Sequence, residues 1–151
     1  MNKFLQMAIV VMFSLGLPVH AEDARPTVAR YAKGFTGPEG LEVALLNIGD
    51  PFKNEYLIQF SGINHDWDFK IFKVKRKTAS NGYDYCMVVD GKNFIVLTEQ
   101  IRGGGESIYE VSIHNMRNMN VSYDKAYSRS IEPEHFLTAY EKQKSADTAC
   151  H

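Results

Sequence analysis

The sequence predicts a mainly β protein, an antiparallel meander that forms a sandwich or partly closed barrel and ends in one helix. The first observation is a series of short runs rich in β-branched and aromatic residues from residue 41 onward. The second is the pair of dipeptides Asn81-Gly82 and Asp90-Gly91, which supply the positive φ angles of two-residue hairpins. The third is a switch to helical spacing only after residue 132.

The 151 residues carry 17 Lys+Arg against 18 Asp+Glu, and 44% of them are hydrophobic. That apolar content fills one ordinary core, so residues 41–151 are read as a single domain. Residues 1–21 read as an export signal: Lys3, an apolar stretch from Phe4 to Leu17, Pro18, and the small-residue ending Val19-His20-Ala21. The apolar stretch is too short to span a bilayer comfortably, and the processed chain is expected in a periplasm or outside the cell, not embedded in a membrane. Losing Lys3 leaves 16 basic against 18 acidic side chains, and this near-neutral balance argues against a nucleic-acid partner.

Residues 22–40, with Pro26, Gly34, Gly37, Pro38 and Gly40, read as an irregular leader with at most a short turn or strand near Tyr31. Strands are expected over 41–48, 56–63, 67–77, 83–89, 94–101 and 107–114, with a weaker one over 121–127. The Asp90-Gly91 hairpin sets Met87 opposite Phe94 and Tyr85 opposite Val96 on one face, with Cys86 and Ile95 on the other. The alternation slips between Ile71 and Phe72, which implies either a bulge there or a strand buried on both faces. Pro133 at a first helical position, early acids and the Phe136, Leu137, Tyr140 stripe predict a helix over about 132–144.

The two cysteines, Cys86 and Cys150, allow one intramolecular pairing in an oxidising compartment, closing a loop of about 65 residues worth about 4 kcal/mol. The densest polar and aromatic cluster is Asn64-His65-Asp66-Trp67-Asp68, at the turn between two strands. It reads as a recognition loop in which Trp67 is the anchor and His65, Asp66 and Asp68 supply polar contacts. The alternative is a structural turn with Trp67 facing the core. Arg102 and Glu106, which flank Gly103–Gly105, form an adaptable tip that would join the same contact surface at one end of the sheet.

Other constellations are weaker. Ser61, His65 and Asp66 or Asp68 hold the residue types of a hydrolase but lack the G-x-S-x-G elbow. His114, Met116 and Met119 offer soft ligands for cuprous ion, though methionines under a loop more often fill core gaps. Lys70, Lys73, Lys75, Arg76 and Lys77 concentrate five positive charges, and on a strand Lys73, Lys75 and Lys77 would share one face as a small basic ridge whose ordinary role is to keep a strand edge solvated. The expectation is therefore a small exported, non-catalytic binding protein, without cofactor or metal. It would act on a protein or cell-envelope component, as an inhibitor or immunity-type protein does. The rival is a ligand-holding barrel whose pocket is lined by Tyr83, Tyr85, Phe94 and Tyr109.

Overall fold

In the computed structural model, residues 24–143 and 149–150 are described. The expected signal, residues 1–21, lies outside them. Eight antiparallel strands follow one another in sequence order, each bonded to the next: β1 (Lys33–Thr36), β2 (Glu42–Ile48), β3 (Glu55–Ser61), β4 (Ile71–Ala79), β5 (Gly82–Val89), β6 (Lys92–Ile101), β7 (Ser107–Val111) and β8 (Met119–Tyr123). β8 returns to β1 through the pairs Phe35↔Tyr123 and Thr36↔Ser122, so the meander closes into a barrel and leaves no sandwich. Closure removes the free strand edges that an open sheet would present.

The closing strand, β1, falls in the stretch expected to be irregular leader. Gly34, which looks like a turn signal, is a point of close approach instead. A side-chain carbon there would lie 2.8 Å from the Ser128 backbone nitrogen of α1 (Lys125–Ser130). The Ser128 hydroxyl meets the same glycine, accepting its N–H at 2.8 Å. The weak strand expected over 121–127 stops at Tyr123, because the Asp124 side chain caps α1 by accepting the Tyr127 N–H at 2.8 Å.

Inward side chains from every strand fill the middle of the barrel. Phe35, Val43, Leu45, Ile58, Phe60, Val74, Met87, Val96, Leu97 and Val111 are all buried. The expected β5–β6 pairing holds for Met87↔Phe94 and Cys86↔Ile95 but shifts by one at Tyr85, which opposes Leu97 and not Val96. This bulge lets the consecutive residues Val96 and Leu97 both face inward. It also reverses the phase of the strand beyond them.

β4 needs no bulge at Ile71-Phe72, because the strand is covered on both faces. Ile71 packs outward beneath α2 (Pro133–Lys142), while Phe72 and Val74 face the interior. Trp67 and Phe69, expected to begin this strand, belong to the preceding loop. Phe136 and Leu137 of α2 bury themselves against Ala44, Leu46, Leu57 and Ile71 on the outer wall. The Gln143 side chain fastens the end of this helix, bonding both the N–H and the C=O of Ile71 at 2.9 Å. On the outer face of β5, Cys86 forms the disulfide with Cys150, their Cα atoms 5.7 Å apart. Among the described residues, no helix is long and apolar enough to cross a membrane.

Candidate functional site

An up-and-down barrel sends alternate loops to opposite ends. Residues 49–54, 80–81 and 102–106 gather at one end, and residues 37–41, 62–70, 90–91 and 112–118 at the other. The two stretches expected to act together, His65–Asp68 and Arg102–Glu106, are therefore separated by the length of the barrel. Three strand lengths lie between their loops, an odd number, and antiparallel pairing then forces opposite ends.

At the end that carries residues 62–70, that loop folds inward. The Trp67 ring stacks on Phe60 at 6.0 Å, lies tilted on Phe72 at 5.3 Å and meets Phe94 edge-on at 6.1 Å. His65 Nδ1 accepts the Trp67 N–H at 3.1 Å, and an Asp68 carboxylate oxygen accepts the Ile63 N–H at 3.3 Å. Both side chains thus hold the loop's own backbone, and Trp67 corks the barrel. Asp66 alone of the four is exposed. Ser61 faces outward, its hydroxyl donating to Glu42 at 3.4 Å, so the expected Ser–His–Asp residues are not assembled around one another. Met119 lies in the core, Met116 packs against it, and His114 meets Phe94 edge-on at 5.8 Å.

The opposite end is built differently. Following the inward phase of each strand places Lys33 of β1, Asn47 of β2, Tyr56 of β3, Arg76 of β4, Tyr83 and Tyr85 of β5, Glu99 of β6, Ser107 and Tyr109 of β7 and Tyr123 of β8 around one mouth. Five of the chain's eight tyrosines converge there. Glu99, only 8% exposed, is the buried centre. Its carboxylate accepts the hydroxyls of Ser107 and Tyr109, each at 3.0 Å, and that of Tyr85 at 3.4 Å. The Arg76 guanidinium lies over the Tyr83 ring at 4.4 Å and the Tyr56 ring at 5.5 Å. Asn54 fixes Arg76 twice, accepting its side-chain N–H and its backbone N–H at 2.8 Å. Two polar groups, Asn54–Arg76 and Tyr85–Glu99–Tyr109, thus share the mouth above the apolar core.

Burial pushes the hydroxyl pKa values of Tyr56, Tyr85 and Tyr109 above the ordinary 10.0, most strongly for Tyr85. Arg76 opposes the shift at Tyr56 and Tyr85, while the Glu99 charge adds to it at all three.

The rim carries an exposed ring. Phe52, 91% exposed, projects from the turn Pro51–Lys53. The turn is held rigid, because Asp50 accepts the Phe52 N–H at 2.9 Å and Asn54 donates to the Phe52 carbonyl at 3.2 Å. Arg102 and Glu106, both exposed, stand at the tip of the β6–β7 hairpin on this same rim.

Three of the four residues expected to line a ligand pocket, Tyr83, Tyr85 and Tyr109, do meet at this mouth, whereas Phe94 lies at the corked end. Of the expected basic ridge, Lys73 and Lys75 face outward, Lys73 pairing with Glu55 at 3.0 Å, and Arg76, on the opposite face of the strand, turns inward in phase with Phe72 and Val74. Sequence reasoning missed Arg76, Glu99, Tyr56 and Tyr123 as parts of a site. The neighbouring apolar pair Val96-Leu97 was the available signal for Glu99, since it marks the slip that turns this carboxylate inward. Compared with family models, curated proteins and solved structures, the chain matches none of them.

Proposed function

We propose that this chain is an exported, non-catalytic binding domain that grips a protein or cell-envelope component through the tyrosine-lined mouth of its barrel, as an inhibitor or immunity-type protein would. The observation that carries the reading is the convergence of five tyrosines, Arg76 and Glu99 on one end of a barrel that is filled in the middle and corked by Trp67 at the other. Tyrosine and arginine are the side chains that most often anchor interfaces, since they bring large area and polar tips at small entropic cost. Phe52 on its rigid turn adds an apolar knob beside them. A ligand stored deep inside the barrel would need space that the core side chains occupy.

The non-catalytic part rests on the mouth's chemistry. Glu99 is surrounded by neutral hydroxyl donors, while His65 and His114 lie at the far end. Export is supported by the Cys86–Cys150 disulfide, which suits an oxidising compartment.

The test is capture from envelope and extracellular extract by the immobilised protein, comparing Phe52→Ala and Tyr123→Ala with Phe69→Ala. Tyr123 is 54% exposed at the mouth and Phe69 is 67% exposed at the corked end. Capture should fall at least about tenfold for the first two variants and hold for the third. Equal capture by all three, or loss confined to Phe69→Ala, overturns the reading.

A further inference from the structure

We infer that the mouth end settles on the surface of an anionic lipid bilayer, its exposed rings dipping among the head groups, an inference that rests on the tyrosine end being the contact face. Two observations carry it. Six large apolar side chains stand exposed among the described residues, and four of them, Phe52, Ile101, Tyr123 and Tyr31, belong to this end or to the chain that enters β1 from it. The same end gathers cations that have no carboxylate to pair with.

Lys53 follows Phe52 in its turn, Arg102 follows Ile101 at the hairpin tip, Arg30 precedes β1, Lys33 opens it, and Lys125 begins α1 just beyond Tyr123. All five are exposed, and among the described residues none of them forms an ion pair. β4 adds Arg76 on its inner face and Lys75 and Lys77 on its outer one. The acids of this end are turned onto the fold's own donors. Asp50 and Asp124 accept the N–H groups of Phe52 and Tyr127, and Asp84 accepts the Thr98 hydroxyl. Glu55 is paired with Lys73, and Glu99 is turned inward onto its three hydroxyls. Glu106 is the one rim carboxylate without such a partner among the described residues. At the corked end the balance reverses, with Glu42, Asp66, Asp68 and Asp90 against Lys70 and Lys92, and Glu39 paired with Arg117 at 2.8 Å.

The chain as a whole carries a formal net charge of -1, so an anionic surface orients the barrel more than it attracts it, and the mouth is the end it draws in. Lysines and arginines within a Debye length of such a surface each add to the attraction. The rings decide between a bilayer and an acidic protein. Phe52, Ile101 and Tyr123 project from three separate points of the rim, Phe52 almost wholly exposed on its rigid turn. A protein partner would need a shaped pocket for each. A head-group layer receives separate rings without matching their shape, and aromatic side chains set beside basic ones suit the boundary between water and acyl chains.

The experiment is co-sedimentation of the protein with vesicles of phosphatidylcholine alone and with vesicles of equal parts phosphatidylcholine and phosphatidylglycerol. The protein should sediment with the mixed vesicles and stay in solution with the neutral ones, and added salt should release it. Phe52→Ala should weaken this binding about tenfold. The double variant Lys53→Glu, Arg102→Glu should weaken it at least about tenfold. Both variants change exposed positions, and circular dichroism checks that they fold. Phe69→Ala, at the corked end, should bind as the parent does. Absent binding to the mixed vesicles, equal binding to both kinds, or affinity unchanged in Phe52→Ala and in the double variant overturns the inference. If capture from extract then still depends on Phe52 and Tyr123, the contact face stands and its occupant is a protein; if capture is indifferent to both, the face itself was wrong.

Discussion

Glu99 on β6 and Tyr109 on β7 are directly paired across the barrel wall, and the tyrosine hydroxyl donates to the carboxylate at 3.0 Å. The pairing places an acidic group inside a barrel whose next layer down is wholly apolar. Removing the carboxylate would strand the buried Tyr85 hydroxyl and open a gap beside it. Glu99→Ala should therefore lower stability by about 2 to 3 kcal/mol in urea unfolding, and Glu99→Gln, which keeps shape and one acceptor oxygen, by less than half of that. An alanine variant as stable as the parent would mean that the network contributes nothing.

Local chemistry made the hairpins legible and hid the site. Asp90-Gly91 encodes its turn in two residues, and the structure places that turn as expected, whereas the turn expected at Asn81-Gly82 falls one residue earlier, on Ser80-Asn81, because Gly82 already pairs with Ala79 and Gln100 as the first residue of β5. The helix after Pro133 was equally readable, since its cap and stripe are local too. Glu99 was hidden because simple alternation from Phe94 sends it outward, and only the bulge turns it in. β1 was hidden by Gly34, whose reason is tertiary: α1 passes over it. Trp67 stood out by composition, yet its partners Phe60, Phe72 and Phe94 come from three different strands, so its role as a cork could not be read from neighbours in sequence. The separation of His65 from Arg102 was implicit in the meander, where counting the intervening strands sends their loops to opposite ends.

The bulge itself makes a sharp prediction. Without it, Leu97 would face solvent as Ile95 does; with it, Leu97 is buried opposite Tyr85 while Ile95 remains 44% exposed. Ile95→Lys should change stability by less than about 0.5 kcal/mol, whereas Leu97→Lys should unfold the domain, because it places an unpaired charge in the core. Thermal unfolding followed by circular dichroism distinguishes the two. A cooperative, near-parental transition for Leu97→Lys would refute the observed register.

The mouth tyrosines fix the direction of alkaline instability. Their folded-state pKa values are raised above 10.0, so the native state retains protons that the unfolded chain releases. Their contribution to stability is whole below about pH 10 and is lost as the pH climbs through the raised values, at up to about 1.4 kcal/mol per pH unit for each tyrosine still protonated. Unfolding free energy measured by denaturant titration should be flat in this respect between about pH 7 and 9 and fall above about 10. Tyr85→Phe should flatten that fall, since Tyr85 carries the largest shift. An identical alkaline slope in Tyr85→Phe would place the instability elsewhere.

The disulfide acts on a different part of the fold from the helix that precedes it. α2 is already held to the outer wall by Phe136, Leu137 and the paired bonds from Gln143 to Ile71, and Arg25 reaches its exposed face, meeting Glu134 and Glu141 at 3.2 Å. Cys150 instead ties the tail to β5, two strands along the wall from β3, next to the single bridge between Ala149 and Met87. The link spans 64 positions of sequence, so its main effect is to restrict the unfolded chain, and its loss should lower stability by up to about 4 kcal/mol. The double variant Cys86→Ser, Cys150→Ser should therefore unfold at lower denaturant than the parent while keeping its helical circular dichroism, because α2 does not depend on the link. A reducing agent should move the parent to the same midpoint and leave the double variant where it is. Loss of the α2 signal in the double variant would show that the helix and the tail dock as one unit.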